Sequence, residues 1–285
     1  MSWVIYFFGS GFAFFAGCGL ILAALAAFSS AQHRWQRSVA LVAAVTGLIL
    51  VALSATPLPY GFYAVAGVVT LAWLIVEQLK EERYPRVRNW LRRATAIIWF
   101  AGLVVEAPFL VTPTLKVDGN PTLYVIGDSV AAGVGDETET WPRILARKHA
   151  IEVNDFSHAG ATVSSALKQA ERLPPRGGIV LLEIGGNDVL GSTTAARFNE
   201  NLDQLLARVR APNRLVVMFE LPLPPFQNEY GRIQRRLALK HGVRLVPKRV
   251  FAGVLTKDGA TLDSVHLSAA GHQTMANAVW GVLGR

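Results

Sequence analysis

The chain has 285 residues, 52% hydrophobic and only 17% charged, with a formal charge of +8. The apolar excess is concentrated in the first 115 residues, which excludes one ordinary soluble domain and leaves room for a full α/β domain after an apolar region. The charge divides evenly, with eight Lys/Arg against four Asp/Glu in residues 1–115 and twenty against sixteen afterwards. In the second part it is scattered, without the clustered basic and aromatic residues of a strand-binding groove, so no nucleic-acid partner is expected.

Four apolar runs come first: Trp3 to Phe28, Ser38 to Thr56, Tyr60 to Val76 and Ala94 to Val111. Each is about 17–26 residues long, enough to cross a hydrocarbon core of about 30 Å. The first lacks the charged start of a signal peptide. Its Gly9, Gly11, Gly17 and Gly19 suit close helix packing in lipid. Cys18, the single cysteine, rules out an intrachain disulfide and is read as a small residue in a packed helix. Pro57-Leu58-Pro59 joins the second and third runs in a chargeless turn. Arg34 and Arg37 follow the first run, and Lys80, Arg83, Arg86, Arg88, Arg92 and Arg93 lie between the third and fourth. The positive-inside bias puts both basic segments in the cytoplasm and sends the chain out of the fourth helix on the outer side. The 80–93 segment reads as a topology determinant, with an anionic-lipid patch as the functional alternative. Glu106, an acid inside the fourth helix near its outer end, is open to either an interfacial or a relay role.

The expected organisation is a membrane region over residues 1–112, a polar Pro/Gly-punctuated linker over 113–121 and an α/β domain over 122–285. In that domain, strands are expected at Leu123–Ile126, Ile151–Phe156, Ile179–Ile184, Leu215–Phe219 and Val243–Val246. Helices are expected at Trp141–His149, Thr162–Arg172, Thr194–Val209, Glu229–His241 and Ser268 to Val282. Five strands alternating with helices predict a flavodoxin-like three-layer α/β/α sandwich. Gly133-Val134-Gly135 lacks the third glycine of a dinucleotide fingerprint, no Walker motif occurs, and the histidines lack metal-ligand spacing. Neither a cofactor nor a metal is expected.

One stretch anchors the chemistry. Leu123-Tyr124-Val125-Ile126-Gly127-Asp128-Ser129-Val130 is a buried-strand pattern that ends at a Gly turn and presents a serine. Downstream follow Gly160, then Gly185-Gly186-Asn187-Asp188, then Asp263-Ser264-Val265-His266. In that order these residues resemble the SGNH (GDSL-type) serine hydrolases, over residues 121 to about 272. The resemblance implies Ser129 as nucleophile, His266 as base and Asp263 as the acid that orients it. It also implies an oxyanion hole from the Ser129 and Gly160 N–H groups and the Asn187 amide, with Asp128 and Asp188 supporting. An ordinary α/β-hydrolase elbow, Gly-x-Ser-x-Gly, is absent because Ala131 holds the fifth position. His158 and His272 are read as bystanders, although His158 adjoins the oxyanion glycine. Leu221-Pro222-Leu223-Pro224-Pro225-Phe226 is either a rigid connection or the wall of an acyl pocket.

The family's substrates are carboxylic esters and thioesters, among them lysophospholipids, acyl-CoA and O-acetylated sugars. A domain tethered outside a bacterial cytoplasmic membrane is expected to meet lysolipids or acylated envelope glycans rather than acyl-CoA. Three alternatives stay open: an acyltransferase using the same acyl-enzyme, a non-catalytic scaffold and a lipid-binding module.

Overall fold

The computed structural model describes residues 2–30, 32–79, 83–115, 121–134, 139–263 and 265–284. Lys80 of the basic segment, residues 116–120 of the linker, Gly135 and Ser264 lie outside the described residues. Two compact units emerge. One comprises Met1–Ser10, Val111–Leu223 and Glu229–Arg285; the other comprises Gly11–Leu110 together with Pro224–Asn228.

The first apolar run is two helices rather than one, α1 (Ser2–Gly9) and α2 (Phe12–Ser30). The chain turns between them at Gly11, whose φ of +91° interrupts the helical ladder. Hydrophobicity alone could not reveal this break, because both sides of it are equally apolar. Next come α3 (Arg34–Leu53), α4 (Tyr60–Gln78) and α5 (Pro85–Glu106). Four helical segments, Phe12–Ser30, Arg34–Leu53, Tyr60–Gln78 and Pro85–Leu110, are long and apolar enough to cross a membrane.

α2 and α3 lie backbone to backbone. A Cβ added to Gly17 would fall 2.6 Å from Gly47 O, and one added to Gly47 would fall 2.6 Å from Gly17 O. Small residues permit such an approach, and in lipid the close packing itself drives association. Gly19 meets nothing within 4 Å, so it takes no part in this contact. Several polar groups in the bundle are paired. Trp99 Nε1 donates to Thr70 Oγ1 at 2.9 Å, and Thr70 in turn donates to Ala66 O. At one end Glu77, one residue beyond the expected helix limit, accepts from Trp73 Nε1 at 3.0 Å and from Arg92 at 2.5 and 2.9 Å. Arg88 Nε lies 3.6 Å from the same carboxylate. Two arginines of the basic segment are therefore partly neutralised within the bundle.

The α/β unit holds five parallel strands: β1 (Leu123–Gly127), β2 (Val153–Asp155), β3 (Ile179–Glu183), β4 (Leu215–Phe219) and β5 (Arg244–Val246). Their order is β2-β1-β3-β4-β5, the flavodoxin-like arrangement. β1 pairs with β3 along its whole length, from Leu123 opposite Ile179 to Gly127 opposite Glu183. The edge strands β2 and β5 are shorter than the expected runs because each has a single neighbour and three paired positions.

The helices of this unit are α6 (Ser129–Ala132), α7 (Trp141–His149), α8 (Val163–Ala170), α9 (Gly186–Leu190), α10 (Ala195–Val209), α11 (Asn228–His241), α12 (Lys248–Leu255) and α13 (Ala269–Val282). α8 packs on α10, and α7 and α12 pack on α13, so the sheet is covered in two groups. α10 shows the rule that places them. Its Phe198, Leu202, Leu205, Leu206 and Val209 recur at helical spacing and are all buried. Thr194 caps its start by accepting from Arg197 N. The short turns α6 and α9 and the helix α12 were not legible in the sequence. The first two are single turns inside motifs, and α12 follows Pro247, its first N–H being met by Glu220, a partner distant in sequence.

Candidate active site

β1 and β3 are adjacent and parallel, so whatever follows them emerges at the same carboxyl edge of the sheet, where order reversal opens a crevice. After β1, Asp128 Oδ1 accepts from Val130 N at 3.0 Å and caps the single turn of α6. Ser129, the first residue of that turn, is 6% exposed. Its Oγ has no hydrogen-bond partner among the described residues, so the fold does not use this hydroxyl.

The turn is held from beneath. Buried Gln169 of α8 accepts from Gly127 N at 3.1 Å and donates to Gly127 O at 3.0 Å. It thus satisfies both backbone groups of the last residue of β1, one residue before Asp128. Sequence reasoning missed Gln169. The available signal was a glutamine at an inward position of α8, beside buried Val163, Ala166 and Ala170. At the end of β4, Gln234 accepts from Leu221 N and donates to Phe219 O in the same manner.

The second and third motifs lock together. Asp188 Oδ2 accepts from Val163 N at 2.8 Å, and Asn187 Nδ2 donates to Ala161 O at 2.9 Å. Asn187 Nδ2 also lies 3.5 Å from Asp128 Oδ2, a long contact that leaves one N–H weakly engaged. Gly160 has a φ of +73°, and a Cβ there would meet nothing within 4 Å. Glycine is therefore favoured at this position by backbone conformation and not by space. His158 Nδ1 is 2.7 Å from Ala159 O within its own loop. His272 is buried, and its Nδ1 accepts from Trp141 N at 3.1 Å, which ties α13 to α7.

Asp263 and His266 form a local unit. Asp263 Oδ1 accepts from the backbone N–H groups of Val265 and His266, at 3.1 and 2.9 Å, and Oδ2 lies 2.6 Å from His266 Nδ1. These bonds hold the Asp263 carboxyl at about 2, the His266 backbone contact acting most strongly. A backbone bridge between Thr261 and Leu267 closes the base of the loop. Ser268 then caps α13 by accepting from Gly271 N.

Beneath the site lie three acids whose burial favours the proton. Asp128 is raised to about 6, chiefly by burial, with the nearby Asp188 charge adding and the Val130 hydrogen bond and His266 opposing. Glu183, at the end of β3, is pushed well above its ordinary value by complete burial and by Asp128. Burial also raises Asp188. Burial thus disfavours negative charge on these acids, close to where the proposed oxyanion would form.

The structure thus joins Asp263 to His266, Asn187 to the Gly160 loop and to Asp128, and Asp188 to the start of α8. No hydrogen bond joins Ser129 Oγ to His266. What connects their neighbourhoods is electrostatic, through the effect of His266 on Asp128. With Nδ1 facing Asp263, His266 has Nε2 left to take a proton.

Residues 125–274 match the GDSL-like lipase/acylhydrolase family. The chain is 28% identical over 176 residues to Esterase TesA of Pseudomonas aeruginosa, covering 57% of this chain and 87% of that protein. It is 30% identical over 154 residues to the Thioesterase 1/protease 1/lysophospholipase L1 of Escherichia coli strain K12, covering 49% and 72%. Among solved structures, that of TesA matches with a TM-score of 0.50 and 27% identity, over 57% of this chain and 97% of the other. The psychrotrophic esterase EstA from Pseudoalteromonas sp., inhibited by monoethylphosphonate, shares the fold with a TM-score of 0.50 at 21% identity, over 58% and 97%.

Proposed function

Since the chain belongs to the GDSL-like lipase/acylhydrolase family and is a serine hydrolase of ester bonds, we propose that Ser129, His266 and Asp263 perform that hydrolysis in a multi-pass membrane protein whose substrates are acyl or acetyl esters of lipids or envelope glycans. The observation that carries the assignment is the 2.6 Å contact of His266 Nδ1 with Asp263 Oδ2. It fixes the tautomer that leaves Nε2 as the base.

In the first half-reaction Nε2 takes the Ser129 proton as Oγ attacks the ester carbonyl. The tetrahedral oxyanion is met by the N–H groups of Ser129 and Gly160 and by Asn187 Nδ2, which gives up its long contact with Asp128. The imidazolium, stabilised by Asp263, then protonates the leaving alcohol and an acyl-Ser129 remains. Water, deprotonated by the same imidazole, completes the second half and restores the serine.

Support for the outward orientation comes from the helical unit. Arg34 and Arg37 lie in the first turn of α3, Arg83 lies just before α5, and Arg86, Arg88, Arg92 and Arg93 lie in its first turns, at the end of the bundle where α2 passes to α3 and α4 to α5. At the other end Asn228 Nδ2 donates to Thr56 O. Residues 224–228 therefore lie opposite the basic end, which the positive-inside bias assigns to the cytoplasm.

The test is hydrolysis of p-nitrophenyl esters from acetate to palmitate by the purified full-length protein. Ser129→Ala is expected to lower kcat by about 10⁴–10⁶-fold. A folded wild type that cleaves none of these esters and does not react with a fluorophosphonate probe overturns the catalytic assignment.

A further inference from the structure

The helical unit contains a cavity of about 370 Å³ that the proposed chemistry does not use. Its long wall is one face of α4, where Tyr60, Tyr63, Gly67 and Leu71 recur at helical spacing. Leu48, Val51 and Ala52 of α3 face them, and buried Trp99 of α5 contributes to the lining. Phe226 and Asn228, which the chain lends to this unit from the connection after β4, complete it.

We infer that this groove binds the acyl chain of an ester lipid from the outer leaflet, with the carbonyl end toward Asn228; the inference rests on the membrane-esterase reading and narrows its substrate to lipid. Three features carry it.

The first is length. From Tyr60 to Leu71 the helix rises about 16 Å. That is roughly half of a hydrocarbon core of about 30 Å, the depth of one leaflet. The second is polarity, which is confined to one end. There Asn228 Nδ2 and the Tyr63 hydroxyl both donate to Thr56 O at 2.8 Å. Tyr60, 52% exposed at the first turn of α4, is placed as interfacial aromatics are. The rest of the lining is apolar. The third is that the groove is open along its side, with Leu71 53% and Phe226 68% exposed. Phe226 is held at a φ of +68°, a conformation uncommon for a residue with a side chain.

Lipid tails are as apolar as leucine, so a groove in a membrane gains no selectivity from hydrophobicity and must gain it from shape and from a polar end. This groove has both. The connection that supplies Phe226 and Asn228 also carries Leu221, and Leu221 packs beside Gly185, two residues before Asn187.

The experiment uses full-length protein in nanodiscs containing an ether-linked lysophospholipid with a photoreactive, clickable chain. Such a probe cannot be hydrolysed, so binding is read independently of catalysis. Labelling is expected on peptides spanning Tyr60–Leu71 or containing Phe226. Gly67 has open space around the position of a Cβ, so Gly67→Leu fills the groove without a backbone clash. It is expected to lower that labelling at least fivefold, as is Leu71→Trp one turn away. The inference is overturned if wild type is not labelled there, if either folded variant labels like wild type, or if palmitate alone competes and unlabelled lysophospholipid does not. Hydrolysis of p-nitrophenyl butyrate by the same wild-type preparation reports separately on the esterase reading.

Discussion

Asp128 answers two opposing demands. Its Oδ1 must accept from Val130 N to cap the turn that presents Ser129, yet a charge on this carboxyl would sit beside the proposed oxyanion donor Asn187. Burial eases the conflict by favouring the proton, which raises the carboxyl to about 6. The native state therefore binds this proton more tightly than the unfolded chain, and stability falls as pH rises from about 4 to about 6. Raising the carboxyl from its ordinary 3.8 to about 6 corresponds to a contribution on the order of 3 kcal/mol. Asp128→Asn keeps an acceptor for Val130 N and removes the titration. Its Tm relative to wild type is expected to rise between about pH 4 and about pH 6 and to level off above that; a gap that does not change with pH would sink the idea. At this scale the sequence was partly legible. Motif order located Ser129, Gly160, Asn187, Asp263 and His266 as candidates. It was silent on Gln169 and Glu183, whose importance depends on what a buried side chain faces.

At the scale of elements, apolar runs and strand-length runs marked where most helices and strands would lie, because burial imposes period and length. They did not mark the break at Gly11, and they did not tell which glycines pack. Gly17 and Gly47 meet backbone to backbone, whereas Gly19 faces open space. These positions make opposite predictions for one substitution. Gly19→Ala is expected to raise stability by about 0.5–1 kcal/mol through helix propensity. Gly47→Ala forces a Cβ against a carbonyl oxygen and is expected to cost about 1–3 kcal/mol. Thermal unfolding in detergent micelles distinguishes them, and a shift of the same sign in both variants contradicts the contact.

For the whole molecule, the decisive question is which side of the membrane the α/β unit occupies. Native Cys18 is buried among apolar side chains, so it gives little background to a membrane-impermeant maleimide. A cysteine placed at exposed Lys257 is expected to react in intact spheroplasts, and one at exposed Arg83 only after lysis. The reverse pattern would place the hydrolase unit in the cytoplasm and remove outer-leaflet lipids from consideration. Composition predicted a two-part organisation. It could not show that Pro224–Asn228 packs with the helices, since no local pattern records a partner so distant in sequence.

A three-residue apparatus ordinarily has three mutual placements to maintain. Here Asp263 fixes His266 through the imidazole and the backbone of their own short loop. These bonds set the proposed acid and base relative to each other locally, so that their alignment to Ser129 is what the sheet and α13 have to supply. In the proposed triad, small shifts in core packing are then expected to enter the geometry once instead of three times. That loop should accordingly tolerate being re-aimed, and changes in the surrounding scaffold should alter reaction rate through one coordinate, the approach of the imidazole to the serine hydroxyl.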